Sequence, residues 1–201
     1  MQTEIEVKFL GVNHDDVRKR LQAAGAVCEQ PMRLMHRTVM DFPDLRLQTS
    51  SDGFVRIRDE GNKVEVTYKQ FNKALSIDGA KEVAVVVDDY ARAIKLFEAI
   101  GLQAKSEQES KRENWRLGDC EIVLDEWPWL RPYIEIEGPH EDAIRSLAQK
   151  LGFNWADAVT GSVTVAYRAE YDIPRELSVD KNPRIAFDEP VPEWMAKTRR
   201  A

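Results

Sequence analysis

Cysteine, histidine and long apolar runs are all scarce in this chain. Its two cysteines, Cys28 and Cys120, stand far apart without metal-ligand spacing, which excludes a disulfide scaffold and fits a reducing compartment. The three histidines, His14, His36 and His140, show no ligand spacing either, so a zinc centre is not indicated. No run approaches the ~20 apolar residues of a membrane helix, and the N-terminus opens into charge rather than an apolar leader. The expectation is a cytoplasmic protein with no membrane partner. A basic excess is also missing: 29 Lys and Arg against 35 Asp and Glu give a formal charge of −6. That excludes the broad electropositive surface of a nucleic-acid binder, and the terminal Lys197, Arg199 and Arg200 read as a solvated end. Any cationic site must be local.

A hydrophobic content of 43% over 201 residues is enough to pack one sizeable domain or two small ones. Within it one device recurs. Glu4-Ile5-Glu6-Val7-Lys8 alternates charge with apolar side chains at the period of a strand, so Glu4, Glu6 and Lys8 share a face opposite Ile5, Val7 and Phe9. Glu135-Ile136-Glu137 repeats the pattern, and Arg56-Ile57-Arg58 is its cationic counterpart. A single such alternation is what any solvated strand face shows. Three together point elsewhere, because paired carboxylates suit divalent cations and paired arginines suit phosphate oxygens.

Helices are expected from Asn13 to Gly25, from Asp88-Asp89 to Gly101 and from Gly138-Pro139 to Gly152, each with apolar residues at three- and four-residue steps. Strands are expected at the N-terminus and over 54–58, 63–69, 82–87, 112–117, 121–125, 133–137 and 163–167. Turns at Asp59-Glu60-Gly61-Asn62 and Gly118-Asp119 make neighbours antiparallel. The fold class is therefore α+β, an eight-stranded, mostly antiparallel β-barrel with flanking helices. Alternate side chains would line its lumen, and a lumen so charged must hold water, ions or a charged ligand. On the strand over 63–69, Lys63, Glu65, Thr67 and Lys69 share the parity expected to point inward. Residues 1–170 are read as the tunnel domain. Residues 171–201, broken by Pro174, Pro183, Pro190 and Pro192, are read as a C-terminal appendage packed on it.

Glu4-Ile5-Glu6-Val7-Lys8 resembles the ExExK signature of the CYTH superfamily, the triphosphate tunnel metalloenzymes, whose members include class IV adenylyl cyclases and triphosphatases. The order of later motifs is similar: paired arginines, a threonine-x-lysine strand, a later basic residue, an aspartate and an ExE strand. The resemblance covers about residues 1–170. It implies that Glu4 and Glu6, with Asp125, Glu135 and Glu137, hold Mg²⁺ or Mn²⁺. It further implies that Lys8 faces phosphate or acts as a general base, and that Arg56, Arg58, Lys69 and Arg112 grip the substrate. There are departures. Ser110 stands where a lysine is common, with Lys111 able to compensate only in a different register, and Ala84 replaces the second acid of a pair begun by Glu82. Gly161-Ser162 and Tyr167 resemble the family's last strand.

These motifs name a triphosphate but not the nucleophile. The expected function is a triphosphatase acting on inorganic triphosphate, ATP or thiamine triphosphate, since hydrolysis needs only the tunnel and a water. A class IV adenylyl cyclase converting ATP to cyclic AMP and pyrophosphate is the alternative, a look shared by Asp41-Phe42-Pro43-Asp44 and by the loop over 127–132, where Trp127 and Trp129 could border a tunnel mouth. A non-catalytic polyphosphate-binding module is the third reading. Family members are often dimeric, which leaves a homodimer open.

Overall fold

The mostly antiparallel expectation holds, with ten strands among the described residues rather than eight. A computed structural model describes residues 1–71, 76–173 and 182–200. Within the expected tail, Pro174 and the rest of 174–181, with Ala201, lie outside the described residues. The strands are β1 (Gln2–Glu4), β2 (Glu6–Leu10), β3 (Val27–Asp41), β4 (Gly53–Asp59), β5 (Val64–Phe71), β6 (Ala80–Val87), β7 (Gln103–Leu117), β8 (Cys120–Glu126), β9 (Tyr133–Glu137) and β10 (Arg184–Ile185). They form one sheet in the order β1-β6-β5-β4-β3-β7-β8-β9-β2, with the short β10 parallel to β7. The hydrogen-bonded path is not closed. Its two ends, β1 and β2, are consecutive in the chain and part at Ile5, so one N-terminal segment lies against β6 and then against β9.

The alternation explains which side of the sheet is which. Ile57, Ile122, Ile134 and Ile136 are fully buried on the outer side, while the charges between them point into the lumen. Helices α1 (His14–Ala23) and α4 (Glu141–Lys150) lay Val17, Leu21, Ile144 and Leu147 over Val7, Phe9, Ile122 and Ile136. Helix α3 (Tyr90–Ala99) covers Met40, Val55 and Ile57 through Ala93, Ile94 and Phe97. The starts expected at Asn13 and Asp89 are observed, and the third helix is capped by His140 rather than at Gly138-Pro139: the side chains of Asn13, Asp89 and His140 accept backbone N–H groups of Asp16, Arg92 and Ala143. Gly152, at φ 77°, follows α4 in the left-handed conformation that ends a helix without a Cβ clash.

One expected strand is absent and one long strand was not foreseen. The segment over 163–167 is not a strand but the start of α5 (Thr164–Glu170), which buries Ala166 and Tyr167 against Trp127, Tyr133 and Tyr171. Tertiary packing, with the Tyr167 hydroxyl donating to the Pro128 carbonyl at 2.9 Å, overrides the β-branched bias of Val163, Thr164 and Val165. The long β3 had no alternation to betray it, since its pairing with β7 is interrupted by register shifts after Cys28, Gln30 and Val39. Asp41, at its end, is fully buried, and its carboxylate accepts the N–H groups of Phe42, Leu47 and Gln48, fixing the turn into α2 (Arg46–Ser51).

Among the described tail residues, Tyr171, Ile173, Ile185 and Met195 pack beside Trp127 and Tyr133; Met195 lies in the short α6 (Glu193–Ala196). No described helix is long and apolar enough to cross a membrane.

Candidate functional site

The inward face of the sheet encloses a cavity of about 310 Å³. Glu4, Glu6, Lys8, Arg56, Arg58, Lys69, Arg112, Glu135 and Glu137 all line it, so nine of the ten residues marked out by the sequence converge from β1, β2, β4, β5, β7 and β9. Lys63 and Glu65 line it too, as strand parity required, and Glu82 joins them from β6.

One wall is acidic. Cross-strand register sets Glu6 opposite Glu137 and Glu137 opposite Glu121, a row of three carboxylates over adjacent strands. Like charges so placed repel. Burial, then Glu4, Glu121 and Glu6, push the Glu137 carboxyl up to about 7. In the next row Lys8, only 1% exposed, donates to Glu6 at 2.7 Å and sits 3.2 Å from Glu135, its partner in register. Burial opposes the Lys8 charge, but Glu135 and then Glu6 outweigh it and hold the ammonium above its ordinary value. Burial likewise disfavours ionised Glu135, yet Lys8 and Arg112 keep it at about 2. Glu4 is ion-paired with Lys69, which also lies 3.9 Å from Glu82.

The other wall is cationic. Arg58 reaches Glu60 at 2.5 Å and Glu65 at 3.0 Å; Arg56 reaches Glu65 at 3.4 Å and the Thr67 hydroxyl at 3.2 Å. Burial and the neighbouring Arg58 lower Arg56 to about 10. Arg112 faces Glu135 at 3.0 Å. Arg37, from the unforeseen β3, joins this wall, and burial followed by Arg58, Arg56 and Arg112 lowers it to about 9. The Nε atoms of Arg37, Arg56 and Arg58 are buried without a hydrogen-bond partner among the described residues.

Asp125 shares the inward parity of Arg112 and Tyr133, its partners in register, but lies beneath the cavity surface. It is 0% exposed, does not line the cavity, and has both oxygens taken by Arg112. Lys111 cannot stand in for a lysine at 110, since it points outward to Glu126 at 3.7 Å and over the Phe187 ring. Trp127 lines the cavity, but the Arg37 guanidinium covers its ring at 4.4 Å. Sequence reasoning passed over Arg37 because it lies in a strand without alternation, and left Glu121 out of the acid set although it shares the inward parity of β8.

A model of the CYTH domain matches residues 2–161. The chain belongs to the CYTH family. CYTH proteins share a metal-dependent triphosphate tunnel fold, generally using Mg²⁺ or Mn²⁺, and bind triphosphate-bearing small molecules; members are triphosphatases or adenylyl cyclases. Solved CYTH-like structures agree in fold. A protein from Pyrococcus horikoshii OT3 is 24% identical, with TM-score 0.64 over 77% of this chain and 93% of its own. A candidate adenylate cyclase from Vibrio parahaemolyticus is 16% identical, with TM-score 0.71 over 83% and 98%. A candidate adenylyl cyclase from Hippeastrum, described as revealing a dominant triphosphatase activity, is 15% identical, with TM-score 0.56 over 83% and 95%. At such identities the likeness is one of fold. No curated protein matches the chain.

The acid wall fits the CYTH metal. Its donors are hard carboxylate oxygens, and the crowding that raises Glu137 is what a divalent cation would relieve. Among the described residues no three metal-binding side chains already converge on one point, because Glu4, Glu6 and Glu135 are each turned toward a lysine.

Proposed function

We propose that this chain is a divalent-metal-dependent triphosphatase, which adds water to a terminal phosphorus and releases orthophosphate and the shortened polyphosphate. The observation that carries this reading is the division of one cavity into a wall bearing Arg56, Arg58 and Arg112 and a wall bearing Glu4, Glu6, Glu135 and Glu137. A linear triphosphate presents several anionic oxygens in a row, and such a pair of walls neutralises one end with guanidinium forks and the other with metal-holding acids.

Glu4, Glu6, Glu135 and Glu137 would hold Mg²⁺ or Mn²⁺, which supplies Lewis-acid polarisation of the phosphoryl oxygens. Asp125 is not part of that set; it aims Arg112. Lys8, kept protonated by Glu135 and Glu6, serves as a fixed cation beside the acids rather than as a general base. Arg56, Arg58 and Arg112 take the charge of the departing phosphate, and Lys69 links the two walls through Glu4. Positioning and charge neutralisation are the main demands of phosphoryl transfer, so no covalent protein intermediate is required.

Cyclisation of ATP is the second reading, favoured by Phe54 and Phe71, which line the cavity with ring centroids 6.3 Å apart and could take a nucleobase. Against it, the Trp127 ring is covered. Incubation with inorganic triphosphate and with ATP, each with Mg²⁺ or Mn²⁺, separates the two. Orthophosphate without cyclic AMP supports the triphosphatase; cyclic AMP with pyrophosphate supports the cyclase.

A further inference from the structure

We infer that Arg37 is a further triphosphate-binding residue of the tunnel, a guanidinium held ready for an anionic oxygen between β3 and β7. The inference rests on the triphosphate reading of the cavity and adds to it a contact that no motif marks.

Cross-strand register sets Arg37 directly opposite Arg58, an arrangement that is repulsive when nothing lies between the two charges. Arg56, Arg58 and Arg112 are each answered by a carboxylate. Arg37 makes no ion pair among the described residues. It is 6% exposed, one Nη donates to the Ser110 hydroxyl, its plane rests over the Trp127 ring, and its Nε finds no hydrogen-bond partner. Burying an unpaired guanidinium beside three others is costly, and a neutral residue of similar length would fill the space better. The Ser110 and Trp127 contacts fix the fork, and its remaining N–H groups meet no acceptor among the described residues. A polyanion in the cavity is the ligand class that meets both demands, supplying acceptors and cancelling the repulsion among the arginines.

The test is calorimetric binding of inorganic triphosphate without divalent metal, so that no turnover intervenes, together with thermal unfolding with and without that ligand. Wild type, Arg37→Gln, Arg37→Lys and Arg56→Gln are compared. The expected result is that Arg37→Gln melts no lower than wild type when ligand-free yet binds triphosphate about tenfold to a hundredfold more weakly, the effect of one lost charge-assisted hydrogen bond. Arg37→Lys should recover part of that loss. A merely structural arginine gives the reverse: a lower ligand-free melting point in Arg37→Gln with affinity unchanged. If Arg56→Gln loses binding and Arg37→Gln does not, the inference falls while the triphosphate reading stands. If wild type binds triphosphate neither without metal nor in a parallel titration with Mg²⁺ or Mn²⁺, both fall.

Discussion

Arg112 grips both oxygens of Asp125, Nε at 2.8 Å from Oδ1 and Nη2 at 2.5 Å from Oδ2, with the carboxylate wholly out of water. A fork held at two points by its cross-strand partner cannot swing, so the guanidinium is also kept in reach of Glu135 at the cavity. Asp125→Asn keeps the shape but removes the charge that offsets a buried arginine, and should cost about 3 kcal/mol in denaturant unfolding. The metal concentration giving half-maximal activity should stay near that of wild type. A large rise in that concentration with unchanged stability would instead make Asp125 a metal ligand.

Glu6 contributes to the acid row and pairs with Lys8. Glu6→Gln should retain the fold, as judged by circular dichroism, and lose about a hundredfold or more in turnover, since several kcal/mol of charge stabilisation depend on the metal. Turnover within a few-fold of wild type at the same metal concentration would remove Glu6 from the metal-holding set.

Glu65 links stability to pH. Its burial works against ionisation, but Arg58, Arg56 and Lys63 hold the carboxyl at about 2, below the value of 4.5 for a free side chain. A depressed folded value means that the stabilisation is complete above about pH 4.5 and is lost as pH falls toward 2. Glu65→Gln should therefore be less stable than wild type by on the order of 2–3 kcal/mol at pH 7, with the gap closing between pH 4.5 and 2. Urea titrations across that range check it; a gap independent of pH would contradict the assignment.

The charged wall of the tunnel was legible because its strands are regular. Where Ile57 and Ile136 must be buried under helices, their neighbours at one-residue offset must face the lumen, and the sequence shows that alternation directly. Helix starts at Asn13 and Asp89 were legible for an equally local reason, a side chain accepting an N–H three residues on. Arg37 was not legible, because bulges break the period of β3 and its meaning depends on Arg58, a partner reached only through pairing. The helix at Thr164–Glu170 was misread because its determinant, the pocket around Tyr167, lies in Pro128 and Trp127, distant in sequence.

Faces of β7 separate function from scaffold. Arg112 points inward and Lys111 outward, toward Glu126 and Phe187. Lys111→Gln should leave turnover within about twofold, as expected for an exposed ion pair, whereas Arg56→Gln should raise KM about tenfold or more through one lost charge-assisted contact. Equal effects in steady-state kinetics would mean that β7 is threaded in another register.

The most direct measurement resolves the products formed from inorganic triphosphate by wild type and Glu6→Gln, with Mg²⁺ or Mn²⁺ present. Two walls of opposite charge around one cavity predict orthophosphate and pyrophosphate from wild type and a strong loss in the variant. No orthophosphate from wild type, with tight triphosphate binding alone or with cyclic AMP appearing only from ATP, would contradict the account.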